Sequence, residues 1–182
     1  MRPHNITVIQ ICVHAPTSDH EDEEVKQFYQ HLDSIIAKSP KTNVLAVQGN
    51  RNSKIGLDAY QHWAGSVRRF GIGETNDRGW RLLKFTKNHQ LTLANTLHPH
   101  KLSMTATWHA PDGQVHNQIE FILIPQCFKA FINKANTRSF SGANSGSNYD
   151  LMLTTIKVKL KTKCFTKCLC IQFDLEKLKD QK

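Results

Sequence analysis

The sequence is short of several things, and each shortage removes a class of protein. No run approaches the roughly 18 uninterrupted apolar residues that a membrane-spanning helix requires, so no membrane partner is expected. The opening Met1-Arg2-Pro3-His4-Asn5 lacks the apolar core of a secretory signal. Cysteine is sparse and odd in number, at Cys12, Cys127, Cys164, Cys168 and Cys170, without a regular framework. Free thiols in a reducing compartment, nuclear or cytoplasmic, fit that pattern better than a disulfide scaffold. Internal repeats and heptads are missing as well. Acidic residues are outnumbered, 15 against 24 Lys and Arg, for a formal net charge of +9.

What remains is a chain of 182 residues, 39% hydrophobic, with a mean hydropathy of −0.46. That is enough for one domain with a sizeable core. The basic excess favours polyanion partners, because Lys and Arg contacts to phosphates release condensed counterions. A solvated basic surface with no partner would give the same count. Much of the excess falls late, at Lys157, Lys159, Lys161, Lys163 and Lys167, while Asp19, Glu21, Asp22, Glu23 and Glu24 form an early acidic run.

Residues 6–13 are dense in β-branched and apolar types and stop at Ala15-Pro16, which predicts a buried strand. Ser18 and Glu21 have capping-box spacing. Val25, Phe28, Leu32, Ile35 and Ile36 recur on one helical face, so residues 20–38 are predicted as an amphipathic helix. Residues 43–48 read as the next strand. The polar, glycine-rich segment 50–75 is expected to be a surface loop without regular structure. Thr75 or Asn76 can cap a helix to about His89, and 91–94 then reads as a strand. Further strand signals lie at 104–108, 115–124 and 131–137. In 151–160 the apolar Leu151, Leu153, Ile156, Val158 and Leu160 alternate with Lys157 and Lys159, which predicts a half-buried strand with a basic outer face. Strands interspersed with two helices indicate an α/β sandwich with a mostly antiparallel sheet.

Several strings together carry a family resemblance. They are Val13-His-Ala-Pro-Thr17, Val47-Gln-Gly-Asn-Arg-Asn-Ser-Lys-Ile-Gly56 and Leu91-Thr-Leu-Ala-Asn-Thr-Leu-His-Pro-His-Lys101, then Thr107-Trp-His-Ala-Pro-Asp-Gly113, Asn117-Gln-Ile-Glu-Phe-Ile-Leu123, Ser147-Asn-Tyr-Asp-Leu151 and the stretch from Phe173 to Asp180. In this order they resemble the endonuclease domain of RTE and BovB-type LINE retrotransposons and its cellular craniofacial development protein 2-like relatives, within the endonuclease/exonuclease/phosphatase superfamily. The resemblance implies a two-sheet, four-layer α/β sandwich of the DNase I-like kind, N-terminally truncated. Residues 1–161 are expected to form the partial domain and 162–182 a basic, cysteine-containing tail. It also implies an ancestral Mg²⁺-dependent cleavage of DNA phosphodiesters, in which hard oxygen ligands hold the ion and an Asp-held His stabilises the transition state.

Position by position, most of that site is substituted. His14 stands where the family has a Tyr. Asn50 replaces a water-orienting carboxylate, Arg51 replaces an aromatic, and Asn52 is unchanged. Glu120 is one methylene longer than the Asp that orients the catalytic His. Asn148 replaces a metal-ligand Asp, and Tyr149 replaces the His itself, with a phenol that is neutral near pH 7. An upstream part that supplies an Asn and the Mg²⁺-binding Glu in the family is expected to be missing, so Mg²⁺ is not expected to bind productively. A sheet edge left open in this way would favour association. General acid–base groups contribute about 10²- to 10⁴-fold each, so losing several predicts no useful turnover.

The expectation is therefore a degenerate endonuclease-like domain. A non-specific nucleic-acid-binding module and an active enzyme with a rearranged site, built on Glu120, Asp150 and His14, are the alternatives. Strand alternation argues against the last, since Asp150 should point away from a face shared with Tyr149. His98-Pro-His100 reads as a turn rather than a metal pair, and the spacing of Cys164, Cys168 and Cys170 matches no common zinc pattern. Trp108 reads as core, with Trp63 and Trp80 open between core and base stacking.

Overall fold

The computed structural model of the chain describes residues 7–17, 19–40, 43–131, 138–140 and 147–157. Its centre is a four-stranded sheet in the order β1 (Val8–His14), β2 (Val44–Asn50), β6 (Glu120–Pro125) and β3 (Leu91–Leu93). β1 and β2 run parallel, and the other two pairings are antiparallel. The parallel pair needs a crossover, which helix α1 (Asp22–Lys38) supplies. Two shorter helices follow, α2 (Tyr60–Trp63) and α3 (Asp77–Asn88).

Alternation along the strands sorts their side chains onto two faces. Leu45, Val47, Phe121, Leu123, Leu91 and Leu93 form the main core with Leu32 of α1 and Leu82, Leu83 and Phe85 of α3. Ile9, Ile11, Val13, Trp63 and Trp80 pack against that core, so the two tryptophans left open by sequence are structural. On the opposite face Ile122 and Ile124 meet Ala94, with Leu97, Phe128 and Met152 packed against them.

Two small hairpins form the second layer: β4 (Trp108–His109) with β5 (His116–Asn117), and β7 (Arg138–Phe140) with β8 (Leu151–Leu153). A bridge between Trp108 and Tyr149 joins them, reinforced where Asp150 N–H donates to Thr107 O at 3.0 Å.

Several expectations need correction. Segment 151–160 pairs with β7, not with the central sheet, and residues 158–160 lie outside the described residues. Its polarity is also reversed: Met152 points inward, while Leu151 and Leu153 are 56% and 43% exposed. Periodicity fixes which residues share a face but not which face is covered. Trp108 is only half-buried, because its strand is two residues long and sits in the thin second layer. Segment 50–75 carries α2 and buries Ser53, Ile55, Ala59, Ser66 and Val67, so it is a fitted connection and not a solvated loop. At α1 the N-cap is Glu21, and no side chain caps it. Ser18 is outside the described residues, as are 132–137 of the expected strand at 131–137. At α3 the expectation holds, since Asn76 is the N-cap and its side chain accepts from Gly79 N–H at 2.8 Å.

Candidate functional site at the sheet edge

Three of the predicted positions are cross-strand neighbours. His14 pairs with Asn50 in the β1–β2 register, and Asn50 pairs with Glu120 in the β2–β6 register. Alternation puts all three on the second face, at one end of the sheet, because His14, Asn50 and Glu120 have the same parity as Cys12, Gln48 and Ile122. His14 is exposed, Glu120 is half-buried and Asn50 is buried.

The backbone turn that holds Asn50 explains its glycine. Gly49 has φ +126, and a Cβ there would lie 2.0 Å from Val13 O, so only glycine permits the close approach of β1 and β2. Asn52 also adopts positive φ, +47, a conformation asparagine tolerates. Its N–H donates to Asn50 Oδ1 at 2.8 Å, and its Nδ2 donates to Ala15 O at 2.6 Å. Asn50 Nδ2 points at the Tyr149 hydroxyl, 3.5 Å away.

Glu120 is fixed through its backbone. Thr107 Oγ1 accepts from Glu120 N–H at 3.2 Å and from Ile119 N–H at 3.0 Å, while Asn95 Nδ2 donates to Glu120 O at 3.0 Å. Burial first, and then the negative charge of Asp150, push the Glu120 carboxyl above its usual range.

Asp150 and His109 were not singled out together by sequence. His109 Nε2 lies 2.9 Å from Asp150 Oδ2, and its Nδ1 lies 2.6 Å from Nδ1 of His116, the residue opposite it across the β4–β5 pair. A carboxylate only accepts, so His109 Nε2–H donates to Asp150. Alternation holds, with Asp150 and Met152 facing inward and Tyr149, 39% exposed, reaching Asn50 from outside, yet Asp150 still comes near Glu120 from the inner side. Asn148 is exposed and joins the cluster through its carbonyl, which accepts from His109 N–H at 2.9 Å. The recurring signal for His109 was the string Thr107-Trp-His109, which carried resemblance but no role.

The other candidates separate from this edge. His98 lines a cavity elsewhere, and burial followed by Arg138 lowers the His100 pKa. Cys164, Cys168, Cys170 and the lysines after Lys157 lie outside the described residues. Among the described residues no three His, Cys, Asp or Glu side chains are gathered as metal ligands, and no helix is long and apolar enough to cross a membrane.

Known proteins place this geometry. No family model matches the chain. Craniofacial development protein 2 of Bos taurus is 37% identical over 160 residues, covering 88% of this chain and 26% of that protein. The same protein of Tragulus javanicus is 38% identical over 160 residues, covering 88% of this chain and 27% of its own length. The chain thus spans about a quarter of the length of these relatives. Among solved structures, the endonuclease domain of TRAS1, a telomere-specific non-LTR retrotransposon, superposes with a TM-score of 0.56 at 17% identity, over 88% of this chain and 61% of that one. The chain has the DNase I-like fold of that domain. In this chain the α/β sandwich is retained, and at the sheet edge His14, Asn50 and Glu120 are cross-strand neighbours, with Asn52 and Tyr149 hydrogen-bonded to Asn50.

Proposed function

We propose that this endonuclease-like domain binds nucleic acid through its basic surface without cleaving it. The observation that carries the reading is Asn50. Its Oδ1 accepts the Asn52 N–H, and its Nδ2 faces the Tyr149 hydroxyl. The Asn50 amide takes up no proton and carries no charge, whereas phosphodiester hydrolysis needs a base or an oriented water at this position. The residues also fit Mg²⁺ poorly. The ion wants several free oxygens in octahedral geometry, yet Asn50 Oδ1 is occupied and Asp150 is held by His109. The net charge of +9 supports the binding half of the proposal.

With Mg²⁺ and supercoiled plasmid, the purified chain is expected to give no nicked product while retarding DNA of any sequence. Retardation should weaken steeply between about 50 and 200 mM salt, since each neutralised phosphate adds to the salt slope. Binding unchanged across that range would refute phosphate contact as the basis.

A second reading is favoured by the 2.9 Å His109–Asp150 contact beside Glu120: a rearranged nuclease in which His109 replaces the lost imidazole. The same plasmid assay separates the two, because this reading requires nicking that His109→Ala abolishes.

A further inference from the structure

The connection between β2 and α3 lines one side of an open hollow of about 450 Å³, within the range of small-molecule sites. Its lining includes Tyr60, Arg68, Arg69, Phe70, His98 and Lys129, and none of its lining residues is acidic. A second hollow of about 380 Å³ adjoins it, sharing Tyr60 and Arg69 and adding Leu57, Gln61 and Ala64. The Arg69 guanidinium lies over the Tyr60 ring, 4.8 Å from its centroid, as a ridge between the two. Among the described residues Arg68, Arg69 and Lys129 form no ion pair.

The walls are fixed rather than draped. Leu93 N–H donates to Ser66 O at 2.8 Å, Arg68 N–H donates to Thr96 Oγ1 at 3.0 Å, and Val67 between them is fully buried. Downstream, a Cβ on Gly71 would lie 2.3 Å from Ile55 O, so the chain is pressed against the core there too.

We propose that these paired hollows bind one nucleoside phosphate, with the base against the Tyr60–Arg69 ridge and the phosphate among Arg68, Arg69 and Lys129. The chemistry selects this class. Uncompensated cations at the rim of a hollow draw an anion, and guanidinium N–H groups match phosphate oxygens in pairs. A planar heterocycle stacks on an arginine or an aromatic ring, and Phe70, 36% exposed, offers a second ring. Gln61 adds an amide that can donate to or accept from a base edge. An acidic peptide would use the charge but leave the rings idle. The proposal deepens the nucleic-acid reading by giving one nucleotide of a strand a seat that shares no lining residue with the Asn50 cluster.

The test is equilibrium dialysis of the full chain against adenosine 5′-monophosphate, adenosine and inorganic phosphate, with a short single-stranded oligonucleotide measured in parallel. Adenosine monophosphate should bind at least tenfold more tightly than either fragment, and the oligonucleotide should compete with it. Arg69→Ala and Tyr60→Ala should each weaken binding about 5- to 100-fold, in line with the value of one base stack or charged contact. Tyr60→Phe, which keeps the ring, and Lys84→Ala on the exposed side of α3 should stay within about twofold of the parent, which also shows that the fold survives. Inorganic phosphate binding as well as the nucleotide, or Arg69→Ala leaving affinity unchanged, overturns the proposal. If the broader reading fails instead, plasmid DNA goes unretarded while the mononucleotide still binds in an Arg69-dependent way.

Discussion

The two faces of the central sheet are covered to different depths, and the difference divides stability from chemistry. On one face α1 and α3 lie across β2, β6 and β3, and Val47, Leu82, Leu83, Phe121 and Leu123 are sealed from water. On the other face the apolar cluster is smaller, Ala94, Ile122 and Ile124 with Leu97, Phe128 and Met152 packed against it. Toward β1 that second face is open, with Val8 54% exposed and Cys12 exposed. Every polar group of the candidate site sits on the thinly covered face. Helices two turns or longer can bury a continuous stripe, whereas two-residue and three-residue strands cannot.

The largest expected effect tests this division. Phe121→Ala removes a fully buried ring from the helix-covered face and should cost about 3–5 kcal/mol of unfolding free energy, measured by urea denaturation. Met152→Ala deletes a side chain that is half-exposed and should cost less than about 2 kcal/mol. Equal costs for the two would mean that the hairpin layer is a true second core.

Arg51 breaks the pattern on the well-covered side. It is 2% exposed, and among the described residues none of its three guanidinium nitrogens has a hydrogen-bond partner. Burial pushes its pKa down to about 10, with the nearby Tyr29 acting in the opposite direction, so it remains charged near pH 7. Tyr29 in turn is pushed up by burial, against the pull of Arg51, Arg78 and Arg81. An unpaired buried cation opposes folding, and hydrophobic replacement of buried charge is often stabilising by about 1–4 kcal/mol. Arg51→Phe should therefore raise the melting temperature by several degrees, at about 2–4 °C per kcal/mol for a chain of this size. A lower melting temperature would show that the guanidinium makes interactions that its geometry does not reveal.

How much of this was legible beforehand also divides along the two faces. The strand at 43–48, the capped helix from Asn76 and the apolar stripe of α1 were readable, because hydrophobic periodicity reports burial and the helix-covered face has plenty of it. The row His14, Asn50, Glu120 could be placed because each follows or opens a strand with a clear apolar run. The thin layer was not readable in the same way. Leu151 and Leu153 have the right period for an inner face, yet Met152 takes that face. His109 meets Asp150 through the isolated Trp108–Tyr149 bridge, beside strands of two and three residues that leave almost no periodic signal. The hollow beside Tyr60 was hidden for a related reason, since its wall is a glycine-rich segment whose order comes from tertiary hydrogen bonds.

The smallest expected effect probes the charge on the thinly covered face. Glu120 is half-buried and faces Asp150, and both circumstances raise its pKa above 4.5, burial more than the neighbouring charge. A carboxyl that holds its proton more tightly when folded favours the fold at low pH. That contribution is fully present below the unfolded value and is lost as pH rises from there through the folded value, because the folded state then carries an ill-solvated charge. Glu120→Gln replaces the ionised group by a neutral one of the same shape. The variant should therefore melt slightly above the parent at pH 7.5, and the gap should close as pH is lowered to about 4, where the parent carboxyl is itself neutral. All other titrating groups are common to both chains and cancel in the difference. Asp150→Asn removes only the second cause and also weakens the hold on His109, so it should recover less. A gap between Glu120→Gln and parent that stays constant from pH 4 to 7.5 would mean that Glu120 is as well solvated as a surface carboxylate, and that the second face is more open at this edge than its burial indicates.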